Sequence, residues 1–320
     1  MKAMRCHAPG AALSLDTVAP PEPGPGEVLL SVRACGVNFA DTLMVAGTYQ
    51  EKPALPFAPG VEVCGEVAAL GPGAEGLVIG DRVAAVVGHG GFAEMATAPA
   101  GACVRVPDAM SDEAAAALLV AYGTSHLALA HRARMRPGER LLVLGAGGGV
   151  GLTAVEIGAL MGAEVIAAAR GPEKRAAARE KGAAHLLEAD PETLRDAVRA
   201  LGGADVVYDP VGGELWKAAL RAANFEARLL PIGFASGAVP QIPANILLVK
   251  NLTVIGLYWG AYLRHAPSVM AESLRAILGW WEAGRLTPHV SHALPLAEAE
   301  VALDLLRARK AAGKVVVTMR

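Results

Sequence analysis

Hydrophobic and polar positions follow two different patterns along the chain, and the pattern changes near residue 112. Before that point, short valine-rich runs alternate with turns rich in glycine and proline, which is typical of β-strands. These runs are VLLSVRA (28–34), VEVCGEVAAL (61–70), DRVAAVV (81–87) and FAEMATAP (92–99). The first part of the chain is therefore predicted to form a compact, β-rich domain.

A helix is predicted to start at Ser111 and Asp112. After it, apolar runs of strand length alternate with amphipathic segments. The predicted strands are LLVL (141–144), VIAAA (165–169), AHLL (184–187), DVVY (205–208), ARLLPI (227–232) and LTVIGLY (252–258). Six strands joined by crossover helices indicate a doubly wound, parallel Rossmann sheet. The predicted fold class is α/β.

The length and composition support two domains rather than one. A chain of 320 residues with 53% hydrophobic residues exceeds the size at which a single core stops growing. The last segment, which includes KVVVTM (314–319), has no further crossover to make in the six-stranded sheet. We therefore predict a first domain made of residues 1–112 and 285–320, and a Rossmann domain made of residues 113–284.

Charge and cysteine spacing narrow the classes of function. The formal net charge of -2 provides no basic field for nucleic acid or an anionic membrane surface. The four cysteines are widely separated and form no CxxC pair, which favours a reducing compartment over a disulfide framework. The N-terminus lacks the apolar core of a signal peptide, and apolar stretches are interrupted. We expect a cytoplasmic protein that acts on small molecules and not on membranes or nucleic acids.

A glycine-rich turn, GAGGGVG (145–151), follows the strand LLVL directly and opens the predicted helix 152–162, whose residues Leu152, Val155, Ala159 and Leu160 share one face. Glycine permits a tight turn and close approach of a pyrophosphate, whose charge the N–H groups of the helix N-terminus bind. The predicted cofactor-binding residues of this turn are Gly145, Gly148, Gly149, Val150 and Gly151. A purely structural glycine-rich turn is the alternative.

The end of the second Rossmann strand predicts which dinucleotide binds. Chains that select NAD place an Asp or Glu there to bind the ribose 2′-hydroxyl. This strand ends instead at Arg170, and Lys174 and Arg175 follow. Cations suit a 2′-phosphate, so NADPH is the predicted cofactor, with Arg170 and Lys174 as its ligands. The alternative is a solvated helix start that is basic without binding anything.

Several motifs occur together in one order along the chain. They are GVNFADTLMVAGTY (36–49), PFAPGVEVCGEV (56–67), GDRV (80–83), GTSHLAL (123–129), GAGGGVG (145–151) and AGKVVV (312–317). Together they resemble the quinone oxidoreductase branch of the medium-chain dehydrogenase/reductase superfamily. The resemblance implies a GroES-like catalytic domain built from both chain ends, a central Rossmann domain, and an active site in the cleft between them.

The resemblance also implies an active site without zinc. In the related zinc alcohol dehydrogenases, the positions of Asn38 and Val61 hold a Cys and a His ligand, and neither residue here suits a catalytic Zn²⁺ ion. No metal site is therefore predicted. Glu62 follows Val61 and is expected to hold the start of a strand through hydrogen bonds rather than to act in catalysis.

The resemblance places Asn38, Asp41 and Tyr49 on the substrate side of the nicotinamide pocket, where an amide, a carboxyl and a phenol can orient a carbonyl and supply a proton. The alternatives are turn or helix capping for Asn38 and Asp41, and core packing for Tyr49. Two positions depart from the family pattern, since Leu43 and Ala189 stand where relatives often have tyrosine.

Two further segments are expected at the nicotinamide. By resemblance, Thr124 contacts the nicotinamide ring, and Gly233 and Phe234 lie along its carboxamide. Phe234 as ordinary core packing is the alternative. The resemblance also implies a homodimer or homotetramer that associates through LTVIGLY, since an unprotected apolar strand edge is a liability in a monomer.

The resemblance implies NADPH-dependent reduction of quinones by hydride transfer. Without a metal Lewis acid, the developing oxyanion would be stabilised by hydrogen bonds, and the same arrangement would reduce an activated alkene. An NADPH-dependent enal, enone or enoyl-thioester reductase is therefore the alternative. A non-catalytic, crystallin-like or RNA-binding protein that keeps its NADPH site is a third hypothesis, which the acidic charge balance disfavours.

Overall fold

The computed structural model describes residues 1–319 and divides into two compact units. The first unit joins Met1–Val120 to the segment that begins at Thr287, and the second is Ala121–Leu286. The domain boundaries proposed from the sequence, 1–112 with 285–320 and 113–284, refer to domains that fold independently. They stay predictions.

The first unit is rich in β-strands. Its strands are β1 (Lys2–Arg5), β2 (Ser14–Thr17), β3 (Glu27–Val37), β4 (Glu62–Leu70), β5 (Arg82–Val86), β6 (Met95–Pro99), β7 (Cys103–Arg105), β14 (Val290–Pro295) and β15 (Lys314–Thr318). Its helices are α1 (Phe39–Val45), α2 (Asp112–Ala116) and α11 (Ala299–Arg307), with 3-10 turns at Ala100–Ala102 and Leu296–Glu298.

The main sheet of this unit combines both ends of the chain. Its order is β14-β15-β3-β4-β5-β7, with β6 also paired to β3 and β1 paired to β2 in a separate ribbon. Strand β15 runs antiparallel to β3, so the C-terminal segment lies beside the strand that precedes α1. The apolar residues of these strands, such as Leu30, Val63 and Val317, are fully buried in one core.

The second unit alternates strands and helices. Its strands are β8 (Arg140–Leu144), β9 (Glu164–Ala169), β10 (His185–Glu188), β11 (Ala204–Asp209), β12 (Ala223–Pro231) and β13 (Thr253–Val254). Its helices are α4 (Gly149–Leu160), α5 (Pro172–Glu180), α6 (Leu194–Ala200), α7 (Gly213–Ala222), α8 (Ala244–Lys250), α9 (Tyr262–His265) and α10 (Pro267–Glu282). Helix α3 (Leu119–His126) belongs to this unit from residue 121 onwards and continues into a π-helical turn, Leu127–Arg132. A 3-10 turn lies at Trp259–Ala261.

The six strands form one parallel sheet in the order β10-β9-β8-β11-β12-β13. The strand order reverses between β8 and β11, which is the switch point of a doubly wound fold, and ligands bind such sheets outside the carboxyl ends of the strands. The predicted parallel, six-stranded Rossmann sheet is confirmed.

One local prediction was wrong. The run LTVIGLY forms only the short edge strand β13, because its pairing with β12 ends soon after Val254. Helix α4 contains the predicted apolar face and is buried nearly all round from Gly151 to Gly158, as is usual for a helix that is apolar on all sides. Ser111 does start a helix: its hydroxyl accepts a hydrogen bond from Ala114 N–H at 3.2 Å.

Candidate functional site

The glycine turn after β8 is held by its own packing. Gly145 adopts φ +61°, and a Cβ there would lie 2.8 Å from Val211 Cγ2. A Cβ on Gly151 would lie 2.2 Å from the carbonyl oxygen of Gly145. No side chain fits at such distances, so both positions require glycine for the turn to close on the first turn of α4.

The same turn presents backbone donors. The N–H of Ala146 bonds to Ala168 O at 3.0 Å, and the N–H of Gly148 bonds to Gly145 O at 2.9 Å. The N–H groups of Gly149, Val150 and Gly151 open α4 and have no acceptor within residues 1–319. Free donors and the positive end of a helix dipole favour the binding of anions.

Gly148 differs from its neighbours, because a Cβ there would meet nothing closer than Gly145 O at 3.4 Å. The packing of the chain therefore does not require glycine at position 148. Free N–H donors beside a glycine that the packing does not require suit the pyrophosphate of a dinucleotide.

The predicted 2′-phosphate ligands lie on the neighbouring β9–α5 segment. Arg170 directly follows β9 and is exposed. Lys174 packs over the glycine turn, since a Cβ on Gly147 would lie 2.4 Å from Lys174 Cβ. The structure thus brings Lys174 to the glycine turn and leaves Arg170 at the strand end.

A carboxylate that the sequence analysis missed lies beside this segment. Glu188 ends β10 and pairs in register with Ala169. One of its oxygens accepts a hydrogen bond from Gly171 N–H at 3.3 Å, and the other forms an ion pair with Arg175. The only sequence signal for it was its place at the end of the third Rossmann strand.

Thr124 is buried in α3, a helix held in place by contacts that the sequence analysis missed. The hydroxyl of Ser125 lies 3.1 Å from Val150 O and 2.9 Å from the hydroxyl of Tyr208. The indole of Trp259 packs on Gly123, where a Cβ would lie 2.6 Å from Nε1. Helix α3 is therefore fixed to the first turn of α4 and to β11, which sets the position of Thr124.

The ends of β11 and β12 form a second turn region. Asp209 is buried, and its carboxylate accepts hydrogen bonds from the N–H groups of Val211 and Gly212 at 2.7 and 2.9 Å. Burial raises the pKa of Asp209 to about 6, although these donors lower it. Gly233 bonds through its N–H to Asp209 O at 3.3 Å, and Phe234 is 42% exposed. Phe234 is thus available at the carboxyl edge of the sheet rather than buried in the core.

In the first unit, Asn38 and Asp41 lie together at the start of α1. The Asp41 carboxylate accepts hydrogen bonds from Asn38 N–H at 2.7 Å and from Gly60 N–H at 3.0 Å. The first of these is the contact that the third helical residue makes in a capping box. Burial raises the pKa of Asp41 to about 7, although the two N–H donors lower it.

The side chain of Asn38 belongs to a buried polar cluster that we call the Lys314 cluster, made of Asn38, Glu62 and Lys314. Lys314 Nζ donates to Glu62 Oε1 at 2.8 Å, to Asn38 Oδ1 at 2.7 Å and to Val37 O at 3.1 Å. The Asn38 amide donates to Glu62 Oε1 at 2.9 Å, and the other oxygen of Glu62 accepts from Val120 N–H at 2.9 Å. The contacts of Glu62, at the start of β4, are those of a residue that holds a strand in place.

Tyr49 follows α1, and its N–H bonds to Leu43 O at 3.2 Å. Its side chain is half-buried and packs against the core of the first unit. The structure therefore brings Asn38 and Asp41 into direct contact and places Tyr49 on the same segment, at the other end of α1.

Residues 1–319 contain no group of three His, Cys, Asp or Glu side chains placed to hold a metal ion. Within the same residues, no helix is both long enough and apolar enough to span a membrane.

Comparison with known families matches both units. Residues 24–108 match the alcohol dehydrogenase GroES-like domain, and residues 149–277 match the zinc-binding dehydrogenase family. The β-rich, GroES-like character predicted for the first part of the chain is confirmed by the first match.

Individual relatives cover the whole chain. The quinone oxidoreductase-like protein 2 homolog of Nematostella vectensis is 40% identical over all of this chain and 89% of its own length. The quinone oxidoreductase of Thermus thermophilus, solved also as its complex with NADPH, is 36% identical with a TM-score of 0.87, and all of each chain is covered. The Escherichia coli quinone oxidoreductase complexed with NADPH is 26% identical with a TM-score of 0.92, over 99% of this chain and 100% of that one.

Proposed function

Because the chain belongs to the quinone oxidoreductase branch of the medium-chain dehydrogenase/reductase superfamily, we propose that it is an NADPH:quinone oxidoreductase. The observation that carries the proposal is the glycine turn. Its first and last glycines are required by packing, whereas Gly148 is not, and the three N–H groups that follow it have no acceptor within residues 1–319.

NADPH is the cofactor that the residues fit. The N–H groups of Gly149, Val150 and Gly151 would hold the pyrophosphate, and Lys174 and Arg170 would face the 2′-phosphate. The NADPH complexes of the Thermus thermophilus and Escherichia coli relatives support this choice.

The cofactor supplies the hydride, and the chain's own residues position the acceptor. Thr124 and the Gly233–Phe234 segment are proposed to orient the nicotinamide. Thr124 is suited to this because the contacts of Ser125 fix its helix.

On the acceptor side, we assign Asn38 and Asp41 mainly to positioning. Both oxygens of Asp41 are taken by backbone N–H groups, and the amide of Asn38 is held by the Lys314 cluster. Tyr49 is the proposed substrate contact, since its phenol can donate a hydrogen bond to the oxygen of the acceptor. The acceptor is a quinone or a similar electron-poor carbonyl compound.

The proposal is tested by a steady-state assay of NADPH and NADH oxidation with a panel of small quinones, a 2-enal and an enoyl thioester. Faster turnover of NADPH with quinones supports it. Faster turnover with the alkenes would assign the protein instead to enal or enoyl-thioester reduction. Inactivity with every acceptor, while NADPH still binds, would favour a non-catalytic binding protein. A Gly148→Ala variant in the same assay shows whether turnover depends on the glycine turn.

A further inference from the structure

The adenosine end of the proposed cofactor site contains a carboxylate as well as cations. Glu188 ends β10, the strand next to β9, and its register partner is Ala169, the residue before Arg170. Its Oε1 accepts a hydrogen bond from Gly171 N–H at 3.3 Å. The carboxylate therefore lies against the backbone that follows β9, the strand whose end is predicted to lie beside the adenosine ribose.

A carboxylate at this place has a definite effect on dinucleotide choice. Asp or Glu at the end of the second strand binds the ribose hydroxyls of NAD, and it repels a 2′-phosphate, which carries about two negative charges at neutral pH. Glu188 comes from the adjacent strand but reaches the same turn. By itself it would favour NADH.

Arg175 offsets the effect of Glu188 on dinucleotide choice. It lies on the first turns of α5 and forms an ion pair with Glu188, and its side chain is only 27% exposed. A guanidinium has donors for two partners, so it can pair with Glu188 and still present N–H groups to a phosphate.

We propose that Glu188 and Arg175 act as one selectivity element, in which Arg175 neutralises Glu188 and so allows the 2′-phosphate of NADPH to bind. Arg175 then has two effects on NADPH, a direct attraction and the masking of a repulsive carboxylate. This inference rests on the proposed NADPH-dependent function.

A double-mutant cycle separates the two effects. Dissociation constants for NADPH and NADH are measured by isothermal titration calorimetry for the wild type, Arg175→Ala, Glu188→Gln and the double variant. Glutamine keeps an acceptor for Gly171 N–H and removes only the charge. Arg175→Ala is expected to weaken NADPH binding by about tenfold or more and NADH binding by less than about threefold, since only NADPH has the 2′-phosphate.

The double variant decides the case. If Arg175 masks Glu188, the added Glu188→Gln change restores the part of the NADPH affinity that was lost by unmasking the carboxylate, and the double variant binds NADPH at least about threefold more tightly than Arg175→Ala. If the double variant binds NADPH no better than Arg175→Ala, Arg175 is only a phosphate ligand and the inference is overturned.

Arg179→Ala is the matched control, because it removes the same charge from the exposed last turn of α5. It is expected to leave both constants within about twofold of the wild type. If Arg179→Ala lost as much NADPH affinity as Arg175→Ala, the loss would reflect the net charge of the protein and the inference would be overturned.

A wild-type protein that binds neither dinucleotide would contradict the proposed function itself. A wild type that prefers NADPH, combined with additive effects of the two substitutions, would contradict only the selectivity element.

Discussion

The glycines of one seven-residue turn are required for different reasons. Gly145 and Gly151 have no room for a Cβ, because Val211 and the turn's own backbone lie within 2.8 Å of the added atom. Gly148 has room for one. A glycine that the fold does not require is explained by a partner that approaches from outside, which here is the proposed pyrophosphate.

Gly148→Ala is therefore expected to fold normally and to bind NADPH more weakly by about tenfold, equivalent to about 1.4 kcal/mol, since the methyl group would hold the pyrophosphate away from the backbone donors. Fluorescence titration with NADPH and a thermal melt measure the two effects. Gly279→Ala, in helix α10 with open space around it, is the control and is expected to leave binding unchanged. Unchanged NADPH affinity in Gly148→Ala would remove the pyrophosphate from this turn.

Asp41 should make stability depend on pH. Its folded-state pKa is raised to about 7 from an ordinary value of 3.8, mainly by burial. The folded protein then binds a proton that the unfolded chain has released, so the contribution of Asp41 to stability is full below about pH 4 and is lost as pH rises to about 7.

Urea unfolding of the wild type and Asp41→Asn across pH 4 to 7.5 measures this dependence, with the pH range set by the two pKa values. The free energy of unfolding of the wild type is expected to fall relative to that of the variant as pH rises. Parallel curves for the two proteins would show that Asp41 is ionised throughout the range.

At the residue scale, sequence reasoning found the glycine turn because its residues are contiguous and lie between a strand and a helix. It could not find Lys314, which meets Asn38 276 positions away in the sequence. It also missed Glu188, because the rule for dinucleotide choice concerns the end of β9 and not the strand beside it.

At the scale of elements, the Lys314 cluster ties several segments of the first unit together. Lys314 begins β15, Glu62 begins β4, and Val37, whose carbonyl accepts from the ammonium, ends β3. The Lys314 and Glu62 side chains are only 4% and 1% exposed. Removal of one member leaves the other as an uncompensated buried charge.

Lys314→Met is expected to lower the free energy of unfolding by about 3–5 kcal/mol, and the added Glu62→Gln change is expected to recover part of that loss. Urea denaturation measures both. Lys217→Met is the control, because Lys217 and Glu214 form an exposed pair that contributes less than about 1 kcal/mol. A loss in Lys314→Met as small as in the control would show that the cluster adds little to stability.

Most helices and strands could be predicted from the sequence, because the spacing of apolar residues and the residues typical of turns are local signals. Five of the six Rossmann strands lie within a few residues of the predicted runs. LTVIGLY was the exception: an apolar run indicates strand propensity, but pairing needs a neighbour, and β12 provides one only at Thr253–Val254. The all-round burial of α4 likewise depends on what packs against the helix.

At the scale of the whole molecule, β13 is the last strand at one edge of the parallel sheet. The neighbouring helix α8 has two largely exposed apolar side chains, Leu248 and Val249. An apolar sheet edge of this kind favours association with a second copy. We therefore retain the prediction of a homodimer or homotetramer that associates through the segment 252–258.

Sedimentation velocity at micromolar concentration tests this prediction. The wild type is expected to sediment as a dimer or tetramer, and Gly256→Lys is expected to shift the protein towards monomer. A Cβ added at Gly256 would meet no atom within 4 Å, so lysine can be placed there to add a charge to the edge. A monomeric wild type would contradict the predicted interface.

The central claim is hydride transfer from NADPH to a quinone, and a single-turnover measurement tests it most directly. Protein loaded with NADPH, or with NADPH deuterated at the transferred position of C4, is mixed with a small quinone in a stopped-flow instrument while the nicotinamide absorbance is followed. The account predicts rapid loss of absorbance that is slower with deuterium. Persistent absorbance with quinone, or decay only with an enal or enoyl thioester, would contradict it.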